Sequence, residues 1–107
     1  MNPENPLACN MGVFTPEQRE SHIQMTTKLI QAVQDIREVE NGFEFSFPNQ
    51  AEFISGIAEF ISNERLCCPF LGFTLQVNSN QDLVSLRLTG PLGTPEFLLA
   101  EFDGAFQ

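Results

Sequence analysis

The segment Val39-Glu40-Asn41-Gly42-Phe43-Glu44-Phe45-Ser46-Phe47 decides the fold class. Asn-Gly is a strong hairpin signal, and Phe43, Phe45 and Phe47 alternate with polar residues as a half-buried strand requires. A strict two-residue loop would set Glu38 and Glu40 opposite the Phe face. A three-residue loop with a bulge pairs Val39 with Phe43 instead, and is the register expected here. Pro48 closes the strand, because proline cannot donate to a ladder.

Working outward from this hairpin, both flanks read as helices. Upstream, Thr15-Pro16-Glu17-Gln18 supplies an N-cap, a proline at the first helical position and the Gln of a capping box. Met25, Leu29, Val33 and Ile36 follow at spacings of three and four, so the helix is predicted to end between Gln34 and Glu38. Downstream, a second helix is predicted from about Gln50 to Leu66, with Asn49 as its cap and Phe53, Ile54, Ile57, Phe60 and Ile61 as its apolar face. A second hairpin follows, from Phe73–Val77 and Val84–Leu88, joined through the polar stretch Asn78–Asp82. Thr94 and Pro95 open a last helix running through Glu96 to Phe102.

The predicted order is therefore helix, hairpin, helix, hairpin, helix. It describes an α+β domain with one antiparallel sheet of four strands covered by helices. Residues 1–14 read as an irregular N-terminal segment and 15–107 as the single domain. A chain of 107 residues suffices for one core. It carries no phosphate loop and no dinucleotide fingerprint.

Composition narrows the function classes. Fourteen acidic residues against five basic ones give a formal charge of −9. That charge opposes phosphate backbones and anionic membrane surfaces, so neither nucleic acid nor membrane is an expected partner. No apolar run approaches the roughly 18 residues of a membrane span. MNPENPLACNMG lacks the basic start and apolar block of a secretory signal, which makes the cytoplasm the expected location. Three cysteines are there expected to stay reduced, and an odd number argues against a disulfide framework. Eleven Phe, with no Tyr or Trp, point to core or interface material.

The chemistry-bearing stretch is Glu64-Arg65-Leu66-Cys67-Cys68-Pro69-Phe70. On a wheel of about 100° per residue centred on Ile57, Glu64 lies within about 20° of the buried centre, as does Cys68 if the helix persists. A carboxylate on an apolar stripe conflicts with the local pattern, and such conflicts favour function. Pro69 restrains Cys68 from helical geometry, so the helix should stop at Leu66 or Cys67. The negative end of the helix and Glu64 both disfavour thiolate, whereas a soft cation deprotonates thiols outright. The electrostatics therefore favour a metal ligand over a redox nucleophile.

Cys9, six residues before Thr15, is placed to complete a three-thiol set if its segment crosses the helix end. Three thiolates suit trivalent arsenic, mercuric ion or cuprous ion. His22, the sole histidine, is a weaker candidate ligand, because it falls on the apolar face of the first helix. Against this stands the reading that Cys67 and Cys68 merely pack beneath Phe70 and Phe73, with Glu64 turned to a backbone donor, Arg65 or Arg87.

The residues Cys9, Thr15-Pro16-Glu17, Glu64-Arg65-Leu66-Cys67-Cys68-Pro69-Phe70 with Phe73 and Leu75, Leu86-Arg87-Leu88-Thr89-Gly90-Pro91 and Glu96-Phe97-Leu98 resemble a family of small, mostly uncharacterised bacterial proteins with an E-R-x-C-C-P-F motif. Members are often met in settings of heavy-metal resistance. The resemblance implies a joint role for Cys9, Cys67, Cys68 and Glu64, without naming a reaction.

Three functions compete at this level. The first is a cytoplasmic protein that binds a thiophilic metal or metalloid through Cys67, Cys68 and Cys9, accessory to resistance or sensing. The second is a non-catalytic interaction domain, a homodimer for example, with the cysteine pair as core. The third is an enzyme that resembles organomercurial lyase in its ingredients, two thiols and Glu64 as the acid, its pKa raised by apolar surroundings.

Overall fold

In the computed structural model, residues 7–101 are described. The irregular character expected of residues 1–6, and the placement of Phe102 in the last helix, lie outside them. The element order is a 3-10 turn (Met11–Val13), α1 (Pro16–Ala32), β1 (Asp35–Val39), β2 (Gly42–Pro48), α2 (Ala51–Cys67), β3 (Gly72–Gln76), β4 (Leu83–Thr89) and α3 (Thr94–Glu101). This is the predicted α-ββ-α-ββ-α order, with the short turn added inside the N-terminal segment.

The sheet is antiparallel throughout, in the order β1-β2-β4-β3. Each helix-plus-hairpin unit contributes one edge strand and one central strand, and the units meet where Phe45 pairs with Leu86. Phe43, Phe45 and Phe47 share a face with Val84, Leu86 and Leu88, and the cluster they join includes Leu29, Ile57, Phe60 and Leu98 from all three helices. The opposite face is polar, where Arg37 and Arg87 each donate to Glu44 Oε1 at 2.8 Å. No helix among the described residues is long and apolar enough to cross a membrane.

The capping box of α1 forms as expected. Thr15 Oγ1 accepts from the Gln18 amide, and the Gln18 side chain accepts from the Thr15 amide. The helix stops at Ala32, earlier than predicted, because Gln34 already donates its amide to Ser46 as the chain turns into β1. Val33 and Ile36 consequently leave the helical stripe.

The hairpin register also differs. The loop is Glu40-Asn41, Val39 pairs with Gly42, and Glu38 faces Phe43. The bulged register keeps charge off a covered face, but β1 is an edge strand exposed at every residue except half-buried Val39. Glu38 therefore incurs no burial cost there. Asn41 takes the left-handed conformation (φ 59°), which Asn tolerates better than most residues. A Cβ at Gly42 would collide with the Leu88 carbonyl, so the tight β2–β4 approach needs glycine.

Two predicted caps are reassigned. Asn49 does not cap α2; Gln50 holds that position without a side-chain bond, and Asn49 Nδ2 donates to the carbonyls of Asn78 and Gln81. It thereby fastens the β3–β4 loop to the start of α2. Thr94 lies inside α3, with its hydroxyl donating to the Pro91 carbonyl at 2.6 Å.

Candidate functional site

Cys67 is the last residue of α2 and Cys68 is its C-cap, with Pro69 ending the helix as its constraint on the preceding residue dictates. The Cys68 amide still donates to the Glu64 carbonyl at 2.8 Å, which folds the pair back over the last helical turn. Both cysteines are 1% exposed. They belong to the core cluster, and Phe70 and Phe73 pack against that cluster, as the packing reading anticipated.

Cys9 comes to the same place. The Asn10 amide donates to the Cys67 carbonyl at 2.7 Å, and the Asn10 side chain accepts from Gly12 to start the 3-10 turn. Phe14, buried at the end of that turn, meets the His22 ring with centroids 5.4 Å apart. The structure joins Cys9 to Cys68 in a disulfide and leaves Cys67 as the free thiol. This corrects the expectation of three reduced cysteines. An odd cysteine count excludes a complete pairing scheme but not one bond, and the Asn10–Cys67 backbone bond brings the irregular N-terminal segment to where it can make it.

Glu64 is the hub. Its Oε1 accepts from His22 Nε2 at 2.7 Å, and its Oε2 lies 3.2 Å from Cys68 Sγ. Cys67 Sγ lies 3.6 Å from Glu64 Oε1, and the two vicinal sulfurs are 3.7 Å apart. Ligand atoms of Cys9, Glu64 and Cys68 fall within 4.8 Å of one another, as do those of His22, Glu64 and Cys67. Neither Arg65 nor Arg87 serves Glu64; Arg87 is committed to Glu44 across the sheet.

His22 is 4% exposed and stacks on Phe60, with centroids 5.6 Å apart and planes at 20°. Its Nδ1 is buried without a hydrogen-bond partner among the described residues. We therefore assign the ring proton to Nε2, where Glu64 accepts it. A histidine that binds metal ordinarily donates its other ring nitrogen to a fixed acceptor, and His22 has none. Its geometry makes it the residue that orients Glu64 in preference to a ligand.

Burial pushes the Cys67 thiol up to about 12, and the neighbouring Glu64 carboxylate adds to the effect. Glu101, at the end of α3, is likewise held above the ordinary carboxylate range, first by desolvation and then by the Glu64 charge. The corner is thus electronegative: two carboxylates and the C-terminal end of α2 oppose thiolate alone and favour thiolate accompanied by a cation.

Sequence reasoning brought Glu64, Cys67 and Cys68 together and named Cys9, but missed the His22–Glu64 bond, Asn10 and Glu101. The first had a usable signal. A histidine and a glutamate, each on the apolar face of consecutive helices that must pack on each other, have few partners but one another. No family model, curated protein or solved structure matches the chain.

Proposed function

We propose that this protein, in its reduced form, binds a thiophilic metal or metalloid through Cys9, Cys67 and Cys68, as an accessory to metal resistance or sensing. One observation carries the reading: Cys68 Sγ is bonded to Cys9 and lies 3.7 Å from Cys67 Sγ, with one carboxylate, Glu64, against both Cys67 and Cys68. Sulfurs that share a tetrahedral ion at a metal–sulfur distance of about 2.3 Å stand about 3.7 Å apart, the scale of zinc–thiolate sites. The vicinal pair already has that spacing.

Soft, low-coordinate cargo suits the set best, namely As(III), Hg(II) or Cu(I). Arsenite suits thiols held neutral. Three S–H groups and As(OH)3 exchange to form three As–S bonds, and each thiol proton leaves with a hydroxide as water. For Hg(II) or Cu(I) the protons are released to solvent, and the carboxylates offset the ion's charge. The reading places the protein in a compartment that reduces the disulfide, as the cytoplasm does.

Titration of the fully reduced protein with arsenite, and separately with mercuric ion, tests this through thiolate–metal absorption in the ultraviolet. One ion per chain is expected, lost in Cys67→Ser and Cys68→Ser. Failure of either ion to bind at micromolar concentration overturns the proposal, and the cysteines are then core packing, the setting in which a dimeric interaction domain is the better account.

The contact between Glu64 and both sulfurs supports a second reading, protonolysis of an organomercurial. As a sulfur of the pair takes up the mercury, its thiol proton passes to the Glu64 carboxylate; Glu64 then delivers that proton to carbon, the carbon–mercury bond breaks, and mercury stays on sulfur. Methane release from methylmercury supports it, and an unchanged rate in Glu64→Gln refutes the assignment.

A further inference from the structure

Resting on the metal-binding reading, we infer that the Cys9–Cys68 bond is a redox gate on that site: disulfide and metal exclude each other, and a small thiol opens the gate. The exclusion is chemical. A sulfur bonded to sulfur carries no thiolate to offer, so the oxidised chain retains one thiol, buried Cys67, where the reduced chain has three.

Three features show a pocket made for both states. Glu64 Oε2 lies 3.2 Å from Cys68 Sγ, a sulfur with no proton to donate while it is bonded to Cys9. Reduction supplies that proton, and the contact becomes a hydrogen bond to a charged acceptor. Second, reduction does not scatter the ligands. The Asn10–Cys67 backbone bond and buried Phe14 hold the N-terminal segment independently of the disulfide, so Cys9 stays beside its partner. Third, the two residues differ in exposure: Cys68 is 1% exposed, whereas Cys9 is half-buried, so the Cys9 side is the open approach to the bond.

Access decides which sulfur is attacked. A low-molecular-weight thiol, as its thiolate, attacks Cys9 Sγ. The Cys9–Cys68 bond breaks, a mixed disulfide forms on Cys9, and Cys68 leaves into the pocket and takes up the proton the attacking thiol gave up. A second small thiol then releases Cys9 as its thiol and departs as the oxidised dimer of the reductant. The net change is two electrons and two protons, delivered by two small thiols. Cys67, buried with its thiol held neutral, takes no part in the exchange and waits as the third ligand.

The experiment compares the full chain oxidised by excess glutathione disulfide with the same chain reduced by excess glutathione, using arsenite as probe. Iodoacetamide labelling after denaturation counts free thiols in each state. One label in the oxidised protein and three in the reduced, with arsenite bound at least about 100-fold more tightly by the latter through loss of chelation in the former, is the expected result. Arsenite should also shift a glutathione redox titration toward the reduced form. Cys9→Ser, which cannot form the bond, should bind weakly and equally in both buffers.

Equal arsenite binding by both states overturns the gate and leaves the metal reading standing. Binding by neither overturns the metal reading, and the gate with it. Three labels under oxidation, or one under reduction, overturn the gate regardless of what arsenite does.

Discussion

The two halves of the molecule are built alike and armed differently. Helices α1 and α2 are both 17 residues long, so their last turns can be set side by side. Where α1 presents Leu29, Ala32 and, as its cap, Val33, α2 presents Glu64, Cys67 and Cys68. The first half fills these positions with apolar side chains, and Leu29 is 5% exposed in the core. The connections differ too. Two residues lead from α1 to β1, whereas Cys68-Pro69-Phe70-Leu71 lead from α2 to β3, closed by the Leu71 amide donating to the Cys68 carbonyl. The end of α1 has the short link; the end of α2, where two sulfurs and a carboxylate lie 3.2–3.7 Å from one another, has the longer corner. The first half then lends His22 to the second, from the position equivalent to Ile57.

Making the second half copy the first is the strongest way to break this comparison. Cys67→Ala combined with Cys68→Val reproduces the end of α1, and should abolish arsenite binding by the reduced protein, a loss of at least about 100-fold, since a single remaining thiol cannot chelate. The far-ultraviolet circular dichroism should be unchanged. Val33→Ser, at the equivalent place in the first half, should leave arsenite binding untouched.

Next in size is His22→Ala. Removing a ring stacked on Phe60 and tilted against Phe14 opens a cavity and leaves Glu64 without its donor. Urea denaturation should show a loss of about 3 kcal/mol. A loss below about 1 kcal/mol would mean that the ring does not hold the carboxylate in place.

Glu64→Leu restores the residue found in the first half, and its effect is electrostatic. The Cys67 thiol, at about 12 against an ordinary 9.0, is raised first by burial and then by Glu64. Its folded value exceeds its unfolded one, so it contributes stability that is fully present below pH 9.0 and lost as pH climbs toward about 12. In Glu64→Leu that loss should begin to level off at lower pH, and alkylation of Cys67 should reach half its maximum rate at lower pH than in the parent. Identical alkylation profiles would remove Glu64 as a cause.

The smallest effect is expected at Glu44, the carboxylate of the open face. Its hydrogen bond to Arg87, with Arg37 adding to it, holds its carboxyl below the ordinary range, and both arginines are well exposed. Its contribution is present at neutral pH and fades as acid protonates it. Glu44→Gln should cost less than about 1 kcal/mol, and less again in molar salt. A salt-insensitive loss above that would place the ion pairs among the determinants of the sheet.

The helices and the α-ββ-α-ββ-α order were legible in the sequence because each rests on local signals: the Thr15–Gln18 capping box, the Phe alternation of β2, and Pro69 ending α2. Glu64 was legible as a misfit on the Ile57 stripe. What was not legible depends on contacts far apart in the chain. Whether β1 lies at an edge decides the cost of Glu38 opposite Phe43, and no residue of the hairpin records it. Asn49 resembles a cap until the β3–β4 loop competes for its side chain. The approach of Cys9 hangs on one backbone bond, Asn10 to Cys67, and backbone groups carry no sequence signature. Glu101 enters only because α3 returns toward the end of α2.

The Cys9–Cys68 bond spans 59 residues and encloses α1, β1, β2 and α2 in a covalent ring, with β3, β4 and α3 outside it. The sheet crosses that boundary, for β4 lies beside β2. A ring of this length restricts the unfolded chain by about 4 kcal/mol in the loop-entropy account. On the proposed metal-binding function, loading the thiols would begin from the less stable redox state of the whole fold, and the ion would restore part of the lost constraint by joining the same two ends of the chain.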